Sequence, residues 1–122
     1  MRAEEKMQSW LIACKPLVAE VGDRIEAVER AQAQLTPNVV FKRTGTVPER
    51  DLCGDTGFSL VAVTVEVESE SWSEVRAVAK IIRKCLKKKA LLIHFDDDVD
   101  NDSEPKVYYY TQTFQLSEME EI

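Results

Sequence analysis

Apolar and polar positions alternate most cleanly in "GFSLVAVTVEVES" (57–69), where Val61, Val63, Val65 and Val67 fall on one side and Ala62, Thr64, Glu66 and Glu68 on the other. That period of two is the signature of a strand with one packed face. Three more stretches read as strands: "NVVFKRTG" (38–45), "ALLIHF" (90–95) and "KVYYYTQTFQL" (106–116). In the last, Tyr108, Tyr110, Phe114 and Leu116 share a face, with Val107, Tyr109, Thr111 and Thr113 opposite. Over "ESWSEVRAVAKIIRKCLKKK" (70–89) the period lengthens to that of a helix. Val75, Val78, Ala79, Ile82, Cys85 and Leu86 make its apolar stripe. Ser71 and Glu74 have the spacing of a capping box, and Lys87, Lys88 and Lys89 suit the negative end of the helix dipole.

Residues 3–35 also repeat at helical spacing, through Trp10, Leu11 and Cys14 and then Leu17, Val18, Val21, Ile25, Val28 and Leu35. Pro16 removes a backbone donor and predicts a break near Lys15. Gly22 offers a second interruption, with Asp23 as the N-cap of a new helical start. Between the first two strands lies "GTVPERDLCGDTGF" (45–58), a polar arm studded with Gly and Pro. It is long for a connection between strands that are to pair, and loops of that length are usually functional or disordered. "DDDVDNDSEP" (96–105) reads as a solvated hairpin loop, and "SEMEEI" as a frayed tail. The order is helix, strand, arm, strand, helix, strand, strand. It predicts an α+β fold in one domain spanning 1–122: a four-stranded antiparallel or mixed sheet with helices on one face. The other face, rich in Thr, Glu and Tyr, is solvated or buried against another copy.

Composition narrows the function more than the fold. The 122 residues suit one domain, and 44% hydrophobic with 31% charged residues is ordinary for a globular chain. A net charge of −6 argues against a dedicated nucleic-acid binder, whose affinity rests on releasing counterions from phosphates. Cys14, Cys53 and Cys85 are odd in number and lack CxxC spacing, so reduced thiols in a cytosolic protein are expected rather than a disulfide framework or zinc site. No run of 18 apolar residues suggests a membrane span, and the acids near the start do not fit a signal peptide.

Candidate chemistry is sparse. The run Asp96, Asp97, Asp98, Asp100, Asp102 and Glu104 invites a calcium reading, but an EF-hand loop needs Gly sixth and Glu twelfth. Counting from Asp96 gives Asn101 and Val107, and counting from Asp98 gives Ser103 and Tyr109. His94, the single histidine, has no nucleophile at a recognisable spacing and reads as a sheet residue. "GDTG" lacks the Lys and spacing of a phosphate-binding loop. No catalytic residue, metal ligand or cofactor site is expected. Seven cations at Arg76, Lys80, Arg83, Lys84, Lys87, Lys88 and Lys89 could track phosphates, but the chain's overall acidity favours a solvated outer helix face with a dipole-matched end. Tyr108 and Tyr110 could stack on bases or serve as core or subunit interface.

The succession of segments resembles the tail-completion proteins of long-tailed bacteriophages. "VGDRI" (21–25) and "TPNVVFKRTGTVPERDLCGDTG" (36–57) are similar to that family's Pro-x-Val-Val strand and its loop with a Leu-x-Gly step. "FSLVAVTVEVESESWSEVRAVAKIIRKCL" (58–86) is similar to its long strand, aromatic-acidic helix start and helix. "FDDDVDNDSEPKVYYYTQTFQL" (95–116) resembles its closing hairpin. The resemblance covers about residues 18–116, and "EAVERAQAQL" departs from it by reading as helix where the family has a loop.

What the resemblance implies is a tail terminator: a ring, usually of six copies, on the head-proximal end of a finished tail tube. The implied partners are further copies of the chain, the tail-tube protein and a protein of the head's neck, with DNA passing the lumen unbound and no membrane involved. The implied location is the host cytoplasm during assembly and the virion afterwards. A ring needs unlike patches to meet, and the arm would supply one. Arg43, Glu49, Arg50, Asp51 and Asp55 would set register, Leu52 would anchor, and Tyr108 and Tyr110 would join the interface. Rival readings are a nucleic-acid-binding module and a small intracellular interaction protein such as a toxin-neutralising partner.

Overall fold

A computed structural model describes residues 2–27, 36–51, 54–102 and 104–119, and for 47–51, 54–58 and 118–119 the backbone alone. Among the described residues the elements run α1 (Ala3–Ala13), α2 (Lys15–Val21), β1 (Ile25–Ala27), β2 (Asn38–Asp51), β3 (Gly54–Ser69), α3 (Trp72–Leu86), β4 (Leu91–Asp100) and β5 (Val107–Met119). The fold is α+β, but its sheet has five strands, in the order β1-β2-β3-β5-β4. β1 runs parallel to β2 and the other pairs are antiparallel.

The N-terminal helical region breaks where Pro16 requires. α1 ends at Ala13, Cys14 caps both helices, and Pro16 sits in the first turn of α2, where its missing donor has no helical partner to lose. Ala3, Met7 and Leu11, then Leu17 and Val21, turn one buried stripe to the sheet. Gly22, at φ 60°, closes α2 in a conformation that only glycine takes cheaply. No new helix starts at Asp23: residues 25–27 form β1, with Ile25 opposite Val39. The Arg24 Nε–H donates to the Pro37 carbonyl at 2.9 Å and the Val39 amide donates to the Arg24 carbonyl at 2.9 Å, which ties this turn to the start of β2. The helical expectation for 28–35 lies outside the described residues.

The arm is not a loop. β2 continues to Asp51 and β3 begins at Gly54, with Arg50 opposite Asp55 and Asp51 opposite Gly54. Among the described residues β1 pairs with β2 only from Val39 to Phe41, and beyond that β2 has β3 as its one described partner, the edge setting in which Pro48 and Gly45 are tolerated. The ladder absorbs them with register shifts between Arg43 and Gly45 and between Pro48 and Arg50. Leu52 and Cys53 lie outside the described residues.

The expected acidic loop is likewise mostly strand. β4 runs through Asp96, Asp97, Asp98 and Asp100, paired with β5 as far as Asp100 opposite Val107. An edge strand needs only one partner, and acids projecting into water cost it nothing. Carboxylates of Asp96 and Asp98 accept from the next residues' amides, Asp97 and Val99, each at 2.8 Å. Those amides are thereby held by side chains, which blunts the edge against strand addition.

α3 starts as a modified capping box. The Glu74 amide donates to Ser71 Oγ at 3.4 Å, while the return arm is relayed: Ser69 Oγ donates to the Glu74 carboxylate at 2.5 Å and accepts from the Ser71 amide at 3.1 Å. Its stripe of Val75, Val78, Ala79, Ile82 and Leu86 packs on Val61, Val63, Val65, Val67 and Phe114. The cysteine expectation is corrected here. Cys14 and Cys85 form a disulfide across 71 residues, with Cα atoms 6.0 Å apart. The α1–α2 junction meets the last turn of α3, and that proximity has no trace in sequence spacing.

Candidate functional site

All three helices lie on one face of the sheet. α1 rests over β1, β2 and β3, and α3 over β3 and β5. Two surfaces follow from that placement.

The first is a groove between α3 and β4, about 660 Å³ in volume. Helical spacing aligns Arg76, Lys80, Arg83, Lys84 and Lys87 along its wall, while Leu92, Tyr110 and Phe114 contribute apolar lining from β4 and β5. Its outer rim is apolar and open. Leu91 is 62% exposed and Phe95, just past the groove's end, 56%. A bulge at Ile93 restores the alternation, so that Leu92 opposite Phe114 and Phe95 opposite Gln112 both lie on the helix side.

Gln112 holds one end of this groove together. Fully buried, its Nε2 donates to the Ala79 carbonyl at 3.0 Å and its Oε1 accepts from Arg83 Nε at 3.1 Å. Arg83 Nη2 donates to the Tyr110 hydroxyl at 3.2 Å, and its guanidinium lies 5.0 Å from the Phe95 ring centre. Phe95 is stacked on Tyr110 at 6.4 Å. Arg83 is therefore committed to fixing the groove, whereas Lys80, Lys84 and Lys87 are exposed and make no ion pair with any described residue.

The second surface is the bare face of the sheet. Thr44, Thr64 and Thr113 join hydroxyl to hydroxyl across β2, β3 and β5, each step 3.0 Å. Toward β4 this face becomes acidic, with Glu66, Asp96 and Asp98 around Tyr109 and Thr111 in a depression of about 470 Å³. His94 is exposed on the same face, in register with Thr113. Among the described residues no group of His, Cys, Asp or Glu is arranged to hold a metal ion, and no helix is long and apolar enough to cross a membrane.

The residues singled out from sequence are scattered. Arg43 turns inward to α1, donating to Glu4 Oε1 from Nε at 2.9 Å and Nη2 at 2.5 Å, and from Nη1 to Thr46 Oγ1 at 3.1 Å. Glu49, Arg50, Asp51 and Asp55 are placed on the β2–β3 hairpin by their backbone alone, and Leu52 falls outside the described residues. Tyr110 enters the groove. Tyr108 lies farther along the same face, edge-on to Trp72 at 5.7 Å. Gln112 was missed, although a glutamine between Tyr110 and Phe114 on an inward face signals a buried polar group in need of partners.

The sequence matches no protein-family model and no curated protein. The fold does match a solved one. It is similar to a chain in the virion of a native gene transfer agent (GTA) particle, at a TM-score of 0.66 and 12% identity, over 89% of this chain and 88% of that one. At that identity the likeness is one of fold.

Proposed function

We propose that this chain is a structural assembly protein of a phage-like particle, and within that class a tail terminator. Copies would form a ring, six by the family resemblance, on the head-proximal end of a tail tube, stopping its growth and offering a surface to the head's neck. The observation that carries the reading is the fold shared over nearly the whole length with a virion chain. The order of sequence segments leads independently to the same class. The chain would work by binding, with no substrate, metal or cofactor, first in the host cytoplasm and then in the virion, while DNA passes the lumen unbound. The β2–β3 hairpin would reach a neighbour, so deleting 47–55 should spare the monomer and abolish the ring.

Native mass spectrometry of the purified chain, alone and beside tail tubes, tests the ring. Electron microscopy of particles lacking the protein tests the role, with overlong headless tubes expected. Particles of normal length with attached heads would sink it. The basic wall of α3 favours one other reading, a nucleic-acid-binding module. Retention of DNA or RNA that weakens steeply with salt would select that reading.

A further inference from the structure

We propose that the α3–β4 groove receives the acidic β4–β5 hairpin of a second copy of this chain. The inference rests on the ring reading and adds a second contact to it, beside the one proposed for the β2–β3 hairpin. The groove asks for an occupant that is anionic on one side and tolerant of an apolar rim on the other. Lys80, Lys84 and Lys87 line its wall without an ionic partner among the described residues, and Leu91 and Phe95 stand open beside it. The chain carries the counterpart itself. From Asp96 to Lys106 the sequence holds Asp96, Asp97, Asp98, Asp100, Asp102 and Glu104 against one cation, Lys106. Asp96, Asp97 and Asp98 are exposed and make no ion pair with any described residue.

Like charges crowd each patch in the lone molecule, and bringing the patches together relieves both. Within one molecule the acidic stretch only touches the end of the groove, where Asp97 lies opposite Tyr110 without an ion pair to a described lysine. Asp98 is already roughly 20 Å along the strand from Leu92 at the usual rise per residue, too far to fill the groove's length. The contact is therefore between copies, and it joins unlike patches, the arrangement that closes into a ring when the rotation permits. It proceeds through side chains and not through an added strand, because the Asp97 and Val99 amides are already occupied by Asp96 and Asp98.

Charge reversal tests this in the full-length chain. One variant carries Lys80→Glu, Lys84→Glu and Lys87→Glu; a second carries Asp96→Lys, Asp97→Lys and Asp98→Lys; a third carries all six. Unchanged thermal melting establishes that each is folded, and Lys→Gln and Asp→Asn sets replace any that is not. Native mass spectrometry and sedimentation should show each triple variant needing at least tenfold more protein to assemble. The sixfold swap, or a one-to-one mixture of the two triple variants, should restore rings. Wild-type rings that survive both triple reversals, or that the swap fails to restore, overturn this contact and leave the ring reading standing. A wild-type chain that stays monomeric even beside tail tubes overturns both. A closed dimer restored by the swap overturns the ring and keeps the contact. Assembly unchanged alongside lost binding of a DNA duplex by the lysine variant makes the groove a nucleic-acid site and overturns the proposal.

Discussion

β3 and β4 each carry an apolar stretch, and the two stretches meet opposite fates. β3 turns Val61, Val63, Val65 and Val67 inward and all four are fully buried. β4 turns Leu92 and Phe95 to the same side, yet Leu92 is only half-buried and Phe95 remains mostly exposed. The difference lies overhead. A helix with its side chains is about 10 Å across, and strands are about 4.8 Å apart, so one helix shades about two strands. α1 and α3 together cover β1, β2, β3 and β5, and the fifth strand is left outside. Whether an apolar residue is core or surface is thus decided by the width of the helical layer as much as by the strand that bears it.

The sharpest way to break the comparison is to cut into the covered half. Phe114→Ala, beneath α3, should cost about 3–5 kcal/mol in chemical denaturation. Next comes the staple over that half: Cys85→Ala, or reduction, should cost about 2–4 kcal/mol, since the bond closes a long loop. A melting temperature unchanged by reductant would mean that Cys14 and Cys85 are not joined in solution. Smaller again is Gln112→Ala, which removes the tie between Ala79 and Arg83 and should cost about 1–3 kcal/mol. Smallest is Phe95→Ser on the uncovered strand, expected within about 1 kcal/mol of wild type in stability but measurably weaker in self-association by sedimentation. If Phe95→Ser destabilised the monomer as much as Phe114→Ala, the two halves would not differ as described.

The legible parts of the fold were those with a long, regular period. β3 and α3 each carry enough alternation to be read alone, and Ser71 and Pro16 act through local backbone chemistry that sequence states directly. β1 was illegible because three residues cannot display a period, and Ile25 happened to continue the helical spacing before it. On composition the distal part of the β2–β3 hairpin (45–58) and the acidic half of β4 read as loops. Gly45, Pro48 and Asp96 to Asp98 are poor residues for a central strand and acceptable ones for an edge, and edge position is a property of the sheet order. The groove was hidden for a related reason. Its lysines come from one element and its apolar lining from two others, and each group taken alone has an ordinary explanation as solvated helix face or strand core. Arg43, expected to reach a neighbour, was instead claimed by Glu4, a partner 39 residues away that no local pattern could indicate.

The Cys14–Cys85 bond bears on when the molecule acquires its final toughness. On the assembly role proposed above, the chain would be made in a reducing cytosol, where glutathione keeps such a pair apart, and would close the bond only in an oxidising exterior. It would then assemble in a softer form and harden outdoors, where no chaperone or fresh synthesis replaces a damaged copy.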